Sequence, residues 1–436
     1  MKHYDVIVSG GGPSGVAAAI AAARNGSRVL LIEREAYFGG MATAAGIPTF
    51  GPFTNGVDDL IGGIGREILE ELKKESYNSP FYDNTSYHVK GLDWYPIDVE
   101  ILKRILDRMV TESGCDVLFH TSVIGVETAD GKVNSITIYN KSGIQQKTAD
   151  YFIDCTGDAD IAAMAGAGIE YGDENGQVQS ATLCFKVANV NTNEFMEYAK
   201  AVNETGNLLR AVERAKAAGR FPKGEAKVCG IAFTNEGVAS LNFGHVYQIQ
   251  PLNVENLTKA EMKARARLPE LLDFLREFVP GMGQAVLVES GPCLGIRESR
   301  RIKGLYTMTK EDYLNRADFP DAIAYYSYPI DIHPAEPDLL ENDVNFELYH
   351  SSHYSKGECY GIPYRSLIPQ GFVNLLVAGR TISADREMMS SVRIMSPCFA
   401  TGQAAGTAAA LCHEQGNVDT AALDADILRG RIEQQR

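Results

Sequence analysis

The chain has 436 residues with 41 basic and 56 acidic side chains, and its formal net charge is −15. This length predicts roughly two to three domains with enough chain to bury a large core. A composition that is 45% hydrophobic and 22% charged is typical of globular proteins rather than of disordered or membrane-spanning ones. Because the excess negative charge repels a phosphate backbone, we do not expect a nucleic acid as partner, and the composition predicts no membrane partner.

The eight cysteines are scattered, and no C-x-x-C spacing occurs. This usage is typical of a reducing compartment. The N-terminus has one lysine and a short apolar run that ends in glycines, which does not match a secretory signal peptide. We therefore expect a cytoplasmic protein.

The first predicted elements form one βαβ unit. Residues 4–8 read as a short buried strand, and residues 16–23 as an alanine-rich helix that begins directly after Gly10-Gly11-Gly12-Pro13-Ser14-Gly15. A second strand, residues 28–32, ends at Glu33. This order of strand, glycine turn, helix and strand is typical of a nucleotide-binding unit.

The next segments continue an α/β pattern. Residues 98–110 have the apolar spacing of an amphipathic helix behind an Asp98 cap. Residues 115–155 alternate strands and turns, with Asp130-Gly131 as a hairpin signal.

From about residue 170 to 355 the character of the sequence changes, because the alanine-rich helices give way to aromatics, prolines and strand-like runs. One helix is predicted there, opened by a capping box of Thr258 and Glu261 and interrupted by Pro269. After about residue 356 the sequence again resembles the first part of the chain, with a strand at 374–379 and a small-residue helix at 397–412. We predict an α/β fold in which a Rossmann-like nucleotide domain of parallel sheet and helices, residues 1–168 and 356–436, is split by a mixed α+β substrate domain, residues 169–355.

The spacing Gly10-x-Gly12-x-x-Gly15 is a dinucleotide fingerprint in the correct context of strand and helix. Gly10 permits the tight turn, Gly12 lets the backbone approach a pyrophosphate, and Gly15 packs the helix on the strand. Glu33 stands at the end of the second strand, where a carboxylate hydrogen-bonds ribose hydroxyls. These features predict a bound dinucleotide.

The residues after Glu33 favour FAD over NAD. Phe38-Gly39-Gly40-Met41-Ala42-Thr43 supplies a glycine pair at which the chain can run beside an extended dinucleotide. Near the other end, Val377-Ala378-Gly379-Arg380 and the helix around Pro397 again join a strand to a helix faced with glycine and alanine. The free N–H groups of that helix would face a negative charge.

Two further signatures precede the terminal motif: Gly295-Ile296-Arg297-Glu298-Ser299-Arg300-Arg301 and Ile362-Pro363-Tyr364-Arg365-Ser366-Leu367-Ile368-Pro369. With them, nearly the whole chain resembles the FAD-dependent oxidoreductases of the glutathione-reductase-like flavoprotein superfamily, in particular a largely unassigned bacterial group. The resemblance implies a glutathione-reductase-type FAD-binding domain and FAD as cofactor.

The resemblance also implies which residues lie against FAD. Val123 would contact adenine through its backbone, Gly157 and Asp158 would close the cofactor site, and the region 395–402 would reach the flavin. The full predicted cofactor set is Gly10, Gly12, Pro13, Ser14, Gly15, Glu33, Arg34, Gly39, Gly40, Met41, Ala42, Thr43, Val123, Gly157, Asp158, Gly379, Arg380, Met395, Cys398, Thr401 and Gly402.

Other cofactors have weaker signals. Gly62-Gly63-Ile64-Gly65 follows no convincing strand, so we interpret it as a loop that opens a helix and not as an NAD(P)H site. The absence of C-x-x-C removes dithiol chemistry. His413-Glu414 lacks the second histidine of a zinc motif, and no metal is predicted.

Candidate catalytic residues lie in the middle and last thirds of the chain. Arg297 and Arg300 belong to a basic group that would clamp a substrate anion or pair with local acids. His333, between Pro329 and Pro334, is a candidate acid or base, with a hydrogen-bonded structural histidine as the alternative. Cys398 lies near the start of the last predicted helix, where it would be a thiolate or a packing residue.

These observations lead to one preferred function and two alternatives. We predict an FAD-dependent oxidoreductase that transfers a hydride between a small polar substrate and the flavin. The alternatives are a flavin-containing RNA-modifying enzyme, disfavoured by the net charge of −15, and a non-catalytic flavin-binding sensor or interaction protein. The residues specify neither the substrate nor the oligomeric state.

Overall fold

The computed structural model describes residues 2–76, 93–204, 206–225, 227–336 and 353–435. Its helices are α1 (Pro13–Arg24), α2 (Gly63–Glu75), α3 (Val99–Glu112), α4 (Asp160–Ala165), α5 (Thr192–Val202), α6 (Leu209–Ala217), α7 (Val254–Phe278), α8 (Lys310–Leu314), α9 (Arg386–Val392), α10 (Met395–Glu414) and α11 (Ala425–Glu433). Its strands are β1 (His3–Ser9), β2 (Val29–Ile32), β3 (Thr49–Phe50), β4 (Tyr95–Pro96), β5 (Asp116–Leu118), β6 (Ser122–Ala129), β7 (Lys132–Asn140), β8 (Gly143–Asp154), β9 (Ile169–Tyr171), β10 (Ala181–Thr182), β11 (Phe185–Ala188), β12 (Gly230–Asn235), β13 (Val238–Asn242), β14 (His245–Val246), β15 (Val286–Ser290), β16 (Arg300–Ile302), β17 (Ala322–Tyr326), β18 (Tyr360–Pro363) and β19 (Leu375–Val377).

A seven-stranded sheet organises the nucleotide-binding part. Its strand order is β5-β2-β1-β8-β7-β6, and β19 pairs with β8. The central strands β5, β2, β1, β8 and β19 run parallel, so their carboxyl ends meet at one edge. Since ligands of open parallel sheets bind beyond that edge, the topology places the glycine turn after β1 at the expected cofactor position.

The local signals of this part are confirmed. Residues 4–8, 16–23 and 28–32 lie in β1, α1 and the β2 region. The Asp98 carboxylate accepts the backbone N–H groups of Glu100 and Ile101 and so caps α3. Asp130 and Gly131 both have positive φ in the two-residue turn between β6 and β7, as a primed hairpin turn requires.

A four-stranded antiparallel sheet organises the inserted part, in the order β12-β13-β11-β15. Its apolar side chains and those of α5, α6 and α7 form a second hydrophobic core, which runs in sequence from Val178 to Leu294. Met308, Tyr326 and Ile330 pack instead in the core that contains α1 and α10, although the sequence-based division places them in the substrate domain. The reason is that β17 pairs with β18, and α10 contacts β17.

The predicted opening and interruption of the long helix are wrong. Helix α7 begins one turn earlier, because the Asn253 side chain accepts the N–H of Asn256, and it continues through Pro269 to Phe278. Thr258 makes no capping box, since its hydroxyl donates to the carbonyl of Val254. Burial of Leu268, Leu271, Leu272 and Leu275 along one face stabilises the helix beyond the proline, so tertiary packing overrides the local signal.

Among the described helices, none is long and apolar enough to cross a bilayer.

Candidate functional site

A cavity of about 460 Å³ lies at the carboxyl edge of the parallel sheet and extends to the four-stranded sheet. One part is lined by the glycine turn after β1, Glu33, Gly157 and the first residues of α10. The other part is lined by residues of the inserted domain, among them Cys184, Lys227 and Asn242. A ligand in this cavity would therefore contact both parts of the chain.

The glycine turn has the close packing that a dinucleotide fingerprint needs. Gly10 has a φ of +94°, and a Cβ added there would lie 2.3 Å from the Cys155 carbonyl oxygen. A Cβ on Gly15 would lie 1.6 Å from the Gly10 carbonyl oxygen, so no side chain fits between turn and helix. Both glycines are required by the fold itself.

Gly12 differs from these two, because a Cβ there would meet only Gly40 Cα, at 3.7 Å. Gly12 and Gly40 both line the cavity, so the space beside Gly12 is open to a ligand. The start of α1 directs free N–H groups into the same region, where a pyrophosphate would bind. The observed cradle fits a dinucleotide cofactor.

Glu33 is buried and lines the cavity. Its carboxylate accepts the N–H of Gly11 at 2.6 Å and the N–H of Glu35 at 2.8 Å. Burial raises the pKa of Glu33, while these two hydrogen bonds oppose the shift. The side chain is thus held at the carboxyl end of β2, where its remaining lone pairs can accept ribose hydroxyls.

Helix α10 brings the C-terminal part of the chain to the cavity. Cβ atoms on Gly402 and Gly406 would lie 2.1 Å from the carbonyl oxygens of Ser14 and Ala18, so α10 packs on α1 at backbone distance. Ile394 and Met395, at the start of α10, line the cavity. The N-terminal N–H groups of α10 would therefore face a ligand bound in the cavity.

The structure brings most of the predicted cofactor residues together. The residues that line the cavity are Gly10, Gly12, Pro13, Ser14, Glu33, Arg34, Gly40, Met41, Val123, Gly157, Asp158, Gly379, Arg380, Met395 and Cys398. Six others lie outside its lining and shape the surrounding backbone: Gly15, Gly39, Ala42, Thr43, Thr401 and Gly402. Thr43 illustrates this supporting position, because its hydroxyl donates to the Phe38 carbonyl at 2.7 Å.

Arg380 and Asp158 form an ion pair of 2.8 Å in the middle of the cavity wall. Burial alone would raise the pKa of Asp158, but Arg380 and a hydrogen bond from Ser299 hold it below its usual value. Arg380 also donates to the Gly157 carbonyl at 2.5 Å. The pair joins the loops after β8 and β19, which both line the cavity.

The two predicted arginines lie in different surroundings. Arg297 is buried, lines the cavity and donates one hydrogen bond to the Ser180 carbonyl at 2.7 Å. Arg300 lies outside the cavity lining, where its guanidinium binds Asp160 at 2.8 Å. Within the described part of the chain, no carboxylate lies within ion-pair distance of Arg297 or of Lys227, the other unpaired cation of this wall.

His333 is buried at the substrate side of the cavity. Its Nε2 lies 3.4 Å from Asp331, and the Gln179 side chain accepts its backbone N–H at 3.0 Å. Burial and the positive charge of Arg297 lower the pKa of His333 well below 6.5, despite the opposing effect of Asp331. His333 is therefore neutral at pH 7 and can accept a proton.

Cys398 also lines the cavity, but burial raises the pKa of its thiol to about 12. Its thiol donates to the Arg393 carbonyl at 3.4 Å. Of the two alternatives given by the sequence, the structure favours the packing residue.

The sequence analysis missed a group of polar residues that the inserted domain contributes. Cys229 and Lys227 line the cavity, and His245 and Glu225 lie directly behind Cys229. Glu225, Lys227 and Cys229 come from the loop before β12, and His245 comes from β14, so no short spacing in the sequence joins the histidine to the other three. Only the pairing of β12 with β13, which leads back toward β14, brings them together.

The cavity, its glycine cradle and the parallel sheet define a dinucleotide-binding protein of the Rossmann-like class. The sequence model of the family described as FAD dependent oxidoreductase matches residues 5–432, and the chain belongs to this family. The protein is an FAD-dependent oxidoreductase, and its cofactor is FAD.

Solved structures with a similar fold are distant in sequence. A geranylgeranyl bacteriochlorophyll reductase-like protein from Thermoplasma acidophilum is 13% identical over 99% of this chain and 90% of its own, with a TM-score of 0.45. A p-nitrophenol 4-monooxygenase from Pseudomonas putida DLL-E4 is 10% identical over 100% of this chain and 85% of its own, with a TM-score of 0.49.

Because the N-terminus of α10 lies at the cavity, we expect its partial positive charge to affect the reduction potential of bound FAD. Two-electron reduction places negative charge on the flavin, and a helix N-terminus stabilises such charge by about 0.3–2 kcal/mol. We expect Met395→Glu to lower the reduction potential of bound FAD, because a second negative charge opposes the first. The matched control is Gln415→Glu beyond the other end of α10, where the potential should not change; equal potentials for both variants would contradict the proximity of the helix to the flavin.

Proposed function

We propose that the protein transfers a hydride between a C–H bond of a small anionic substrate and FAD. The observation that carries this proposal is the pair of cations, Arg297 and Lys227, in the cavity wall beside His333. Arg297 is buried and Lys227 is half-buried. A buried cation such as Arg297 is costly without a carboxylate partner, and a substrate anion would supply the missing charge. When bound, FAD supplies the two-electron acceptor or donor.

The side chains of the cavity divide the remaining tasks. Arg297 binds and orients the anionic group of the substrate, because one of its N–H groups is fixed on Ser180 and others stay available. Neutral His333 takes the proton that leaves the oxygen or nitrogen next to the reacting carbon. Asp331 lies 3.4 Å from His333 and stabilises the resulting imidazolium.

Asp331 is itself held as a carboxylate. Burial would raise the pKa of Asp331, but His333 and Arg393 bring it well below its usual value. Arg393 lies 3.7 Å from the carboxylate, and the Tyr328 hydroxyl donates to it at 3.2 Å. The orientation of His333 is therefore fixed from behind by a group that stays charged at every pH of interest.

The proposal retains the finer predictions of the sequence analysis. The parallel sheet and the glycine turn support a glutathione-reductase-type subdivision of the FAD domain. The net charge of −15 and the cavity of about 460 Å³ support a small-molecule partner rather than RNA. The scattered cysteines without a C-x-x-C spacing support a cytoplasmic location, because such usage is typical of a reducing compartment.

An anaerobic metabolite screen tests the proposal. Hydroxy- and amino-carboxylates and their uncharged amides are mixed with the oxidised protein, and loss of flavin absorbance is followed. We expect reduction by a carboxylate and not by its amide. If every reducing compound is uncharged, the proposed substrate class is wrong.

Two arginine variants test whether Arg297 is responsible for the preference for a carboxylate. Arg297→Gln should raise the Kd of the active carboxylate about tenfold or more, since it removes a charge-assisted hydrogen bond worth about 1.5–3 kcal/mol. Arg300→Gln should have a smaller effect because Arg300 already binds Asp160. Stopped-flow reduction at several substrate concentrations separates Kd from the rate, and a larger effect of Arg300→Gln would contradict the assignment.

A further inference from the structure

Cys229, His245 and Glu225 form a continuous relay behind the substrate side of the cavity. Cys229 Sγ lies 3.3 Å from His245 Nε2, and His245 Nδ1 lies 2.8 Å from Glu225. Cys229 lines the cavity, whereas His245 is buried and the Glu225 side chain is fully buried. This is the arrangement of an activated nucleophile, its base and a group that orients the base.

Glu225 is itself fixed on its other side. Its second carboxylate oxygen binds Arg267 of α7 at 2.8 Å and accepts the backbone N–H of His245 at 2.8 Å. Since Glu225 accepts from Nδ1, it leaves Nε2 to face the sulfur. The relay is thus oriented in one direction, from the buried carboxylate toward the cavity.

We propose that Cys229 is a nucleophile that adds covalently to the carbonyl carbon of an anionic substrate, with His245 as its proton donor and Glu225 as a positioning residue. The inference rests on the proposed function, because it uses the same substrate cavity. It adds a substrate class, carbonyl compounds with a carboxylate, to that cavity.

The atoms and electrons of this addition are all supplied by Cys229, His245 and the substrate. The Cys229 thiolate forms the S–C bond, and the π electrons of the carbonyl move to its oxygen. The proton on His245 Nε2 passes to that oxygen, which leaves a neutral imidazole and a hemithioacetal or hemithioketal. Reversal returns the proton to His245 and restores the thiolate.

The electrostatic surroundings agree with this geometry. Burial would raise the pKa of Cys229, but His245, with Lys227 and Arg297 nearby, lowers it to about 7. Burial would lower the pKa of His245, but Cys229 and Glu225 raise it to about 9. Between these values the pair exists as thiolate and imidazolium, which is the reactive form.

A metal ion is the competing occupant of the same place. Ligand atoms of Cys229, His245 and His333 lie within 4.8 Å of one another, a separation that a transition metal can close. Lys227 and Arg297 repel a cation at this position and attract an anion. The surroundings therefore favour the thiolate and its anionic substrate.

Alkylation of the FAD-loaded protein tests the nucleophile, with Cys293 as an internal control. Cys293 lines the same cavity, and burial raises the pKa of its thiol to about 11. We expect iodoacetamide at pH 7.5 to modify Cys229 at least about 100-fold faster than Cys293, since only the thiolate reacts. Peptide mass spectrometry reads each site, and comparable rates would overturn the proposal.

The pH profile tests the relay. His245→Asn should move the midpoint of Cys229 alkylation upward by about two pH units, and Glu225→Gln should move it less. A purely structural histidine would leave the midpoint unchanged, and that result would refute its part in the step. Retained FAD absorbance shows that each variant is folded; the comparison of Cys229 with Cys293 in the parent protein does not depend on any variant.

Protection tests the substrate class. Glyoxylate, an aldehyde with a carboxylate, should slow alkylation of Cys229 at concentrations at which acetaldehyde does not. Equal protection by both, or by neither, contradicts the anionic carbonyl. A metal site would be the correct interpretation if the purified protein holds one equivalent of tightly bound transition metal and Cys229 is alkylated only after chelation. That result would overturn the nucleophile. None of these readouts uses flavin reduction, so they stand or fail independently of the metabolite screen.

Discussion

Gly12→Val is expected to give a folded protein that no longer retains FAD. A Cβ on Gly12 meets no protein atom closer than Gly40 Cα at 3.7 Å, so the fold accepts a side chain there. The added isopropyl group would instead fill the space in which a pyrophosphate would bind, and the backbone could no longer approach it. Loss of bound FAD by at least 90% is the expected result at roughly micromolar protein, since charge-assisted contacts worth several kcal/mol are removed.

The visible spectrum and the cofactor released on denaturation measure this loss, and far-UV circular dichroism reports the fold. Gly15→Ala is the matched contrast, because its Cβ would lie 1.6 Å from the Gly10 carbonyl oxygen. That variant should lose FAD together with its fold. Full FAD content in Gly12→Val would show that the cofactor does not bind along this turn.

His333→Ala is expected to keep FAD and to slow substrate-dependent flavin reduction by about 10²–10⁴-fold, the usual contribution of general acid–base catalysis. His333 lies among the inserted residues and outside the glycine cradle, so cofactor binding should not change. Rapid mixing under anaerobic conditions measures the reduction rate. Reduction at the parent rate would leave His333 as a structural histidine.

The pH dependence gives a second readout for His333. Its folded-state pKa lies well below 6.5, so the folded protein keeps a neutral imidazole where the unfolded chain already binds a proton. Its contribution to the free energy of unfolding is therefore lost as the pH falls below about 6.5, and His333→Ala should reduce that loss. Denaturant unfolding of the parent and of His333→Ala between about pH 5 and 8 measures this difference, and a parallel pH dependence of the two proteins would contradict a neutral His333.

The nucleotide-binding part could be predicted because its signals are local. Gly10, Gly12 and Gly15 report on contacts within one turn, and Asp98 and Asp130-Gly131 each act within a few residues. Such signals depend on backbone sterics and hydrogen bonds that the flanking sequence itself supplies. The structure accordingly reproduces the corresponding elements within a few residues.

The substrate side could not be predicted in the same way. Glu225, Cys229 and His245 meet through strand pairing, and the unpaired state of Arg297 depends on which acids other elements bring near it. Sequence reasoning gave Arg297 and Arg300 equal standing, but Asp160 binds only Arg300. The capping box at Thr258 failed for the related reason that Asn253 was available one turn earlier.

The contact between α1 and α10 also determines when this protein can bind its cofactor during synthesis. Ser14 and Ala18 are synthesised well before Gly402 and Gly406, which pack against their carbonyl oxygens. Until then the glycine turn lacks the wall formed by Gly379, Arg380 and the start of α10. A growing chain thus holds an open half-site, and capture of FAD and final closure of the first core become one event that follows the synthesis of α10.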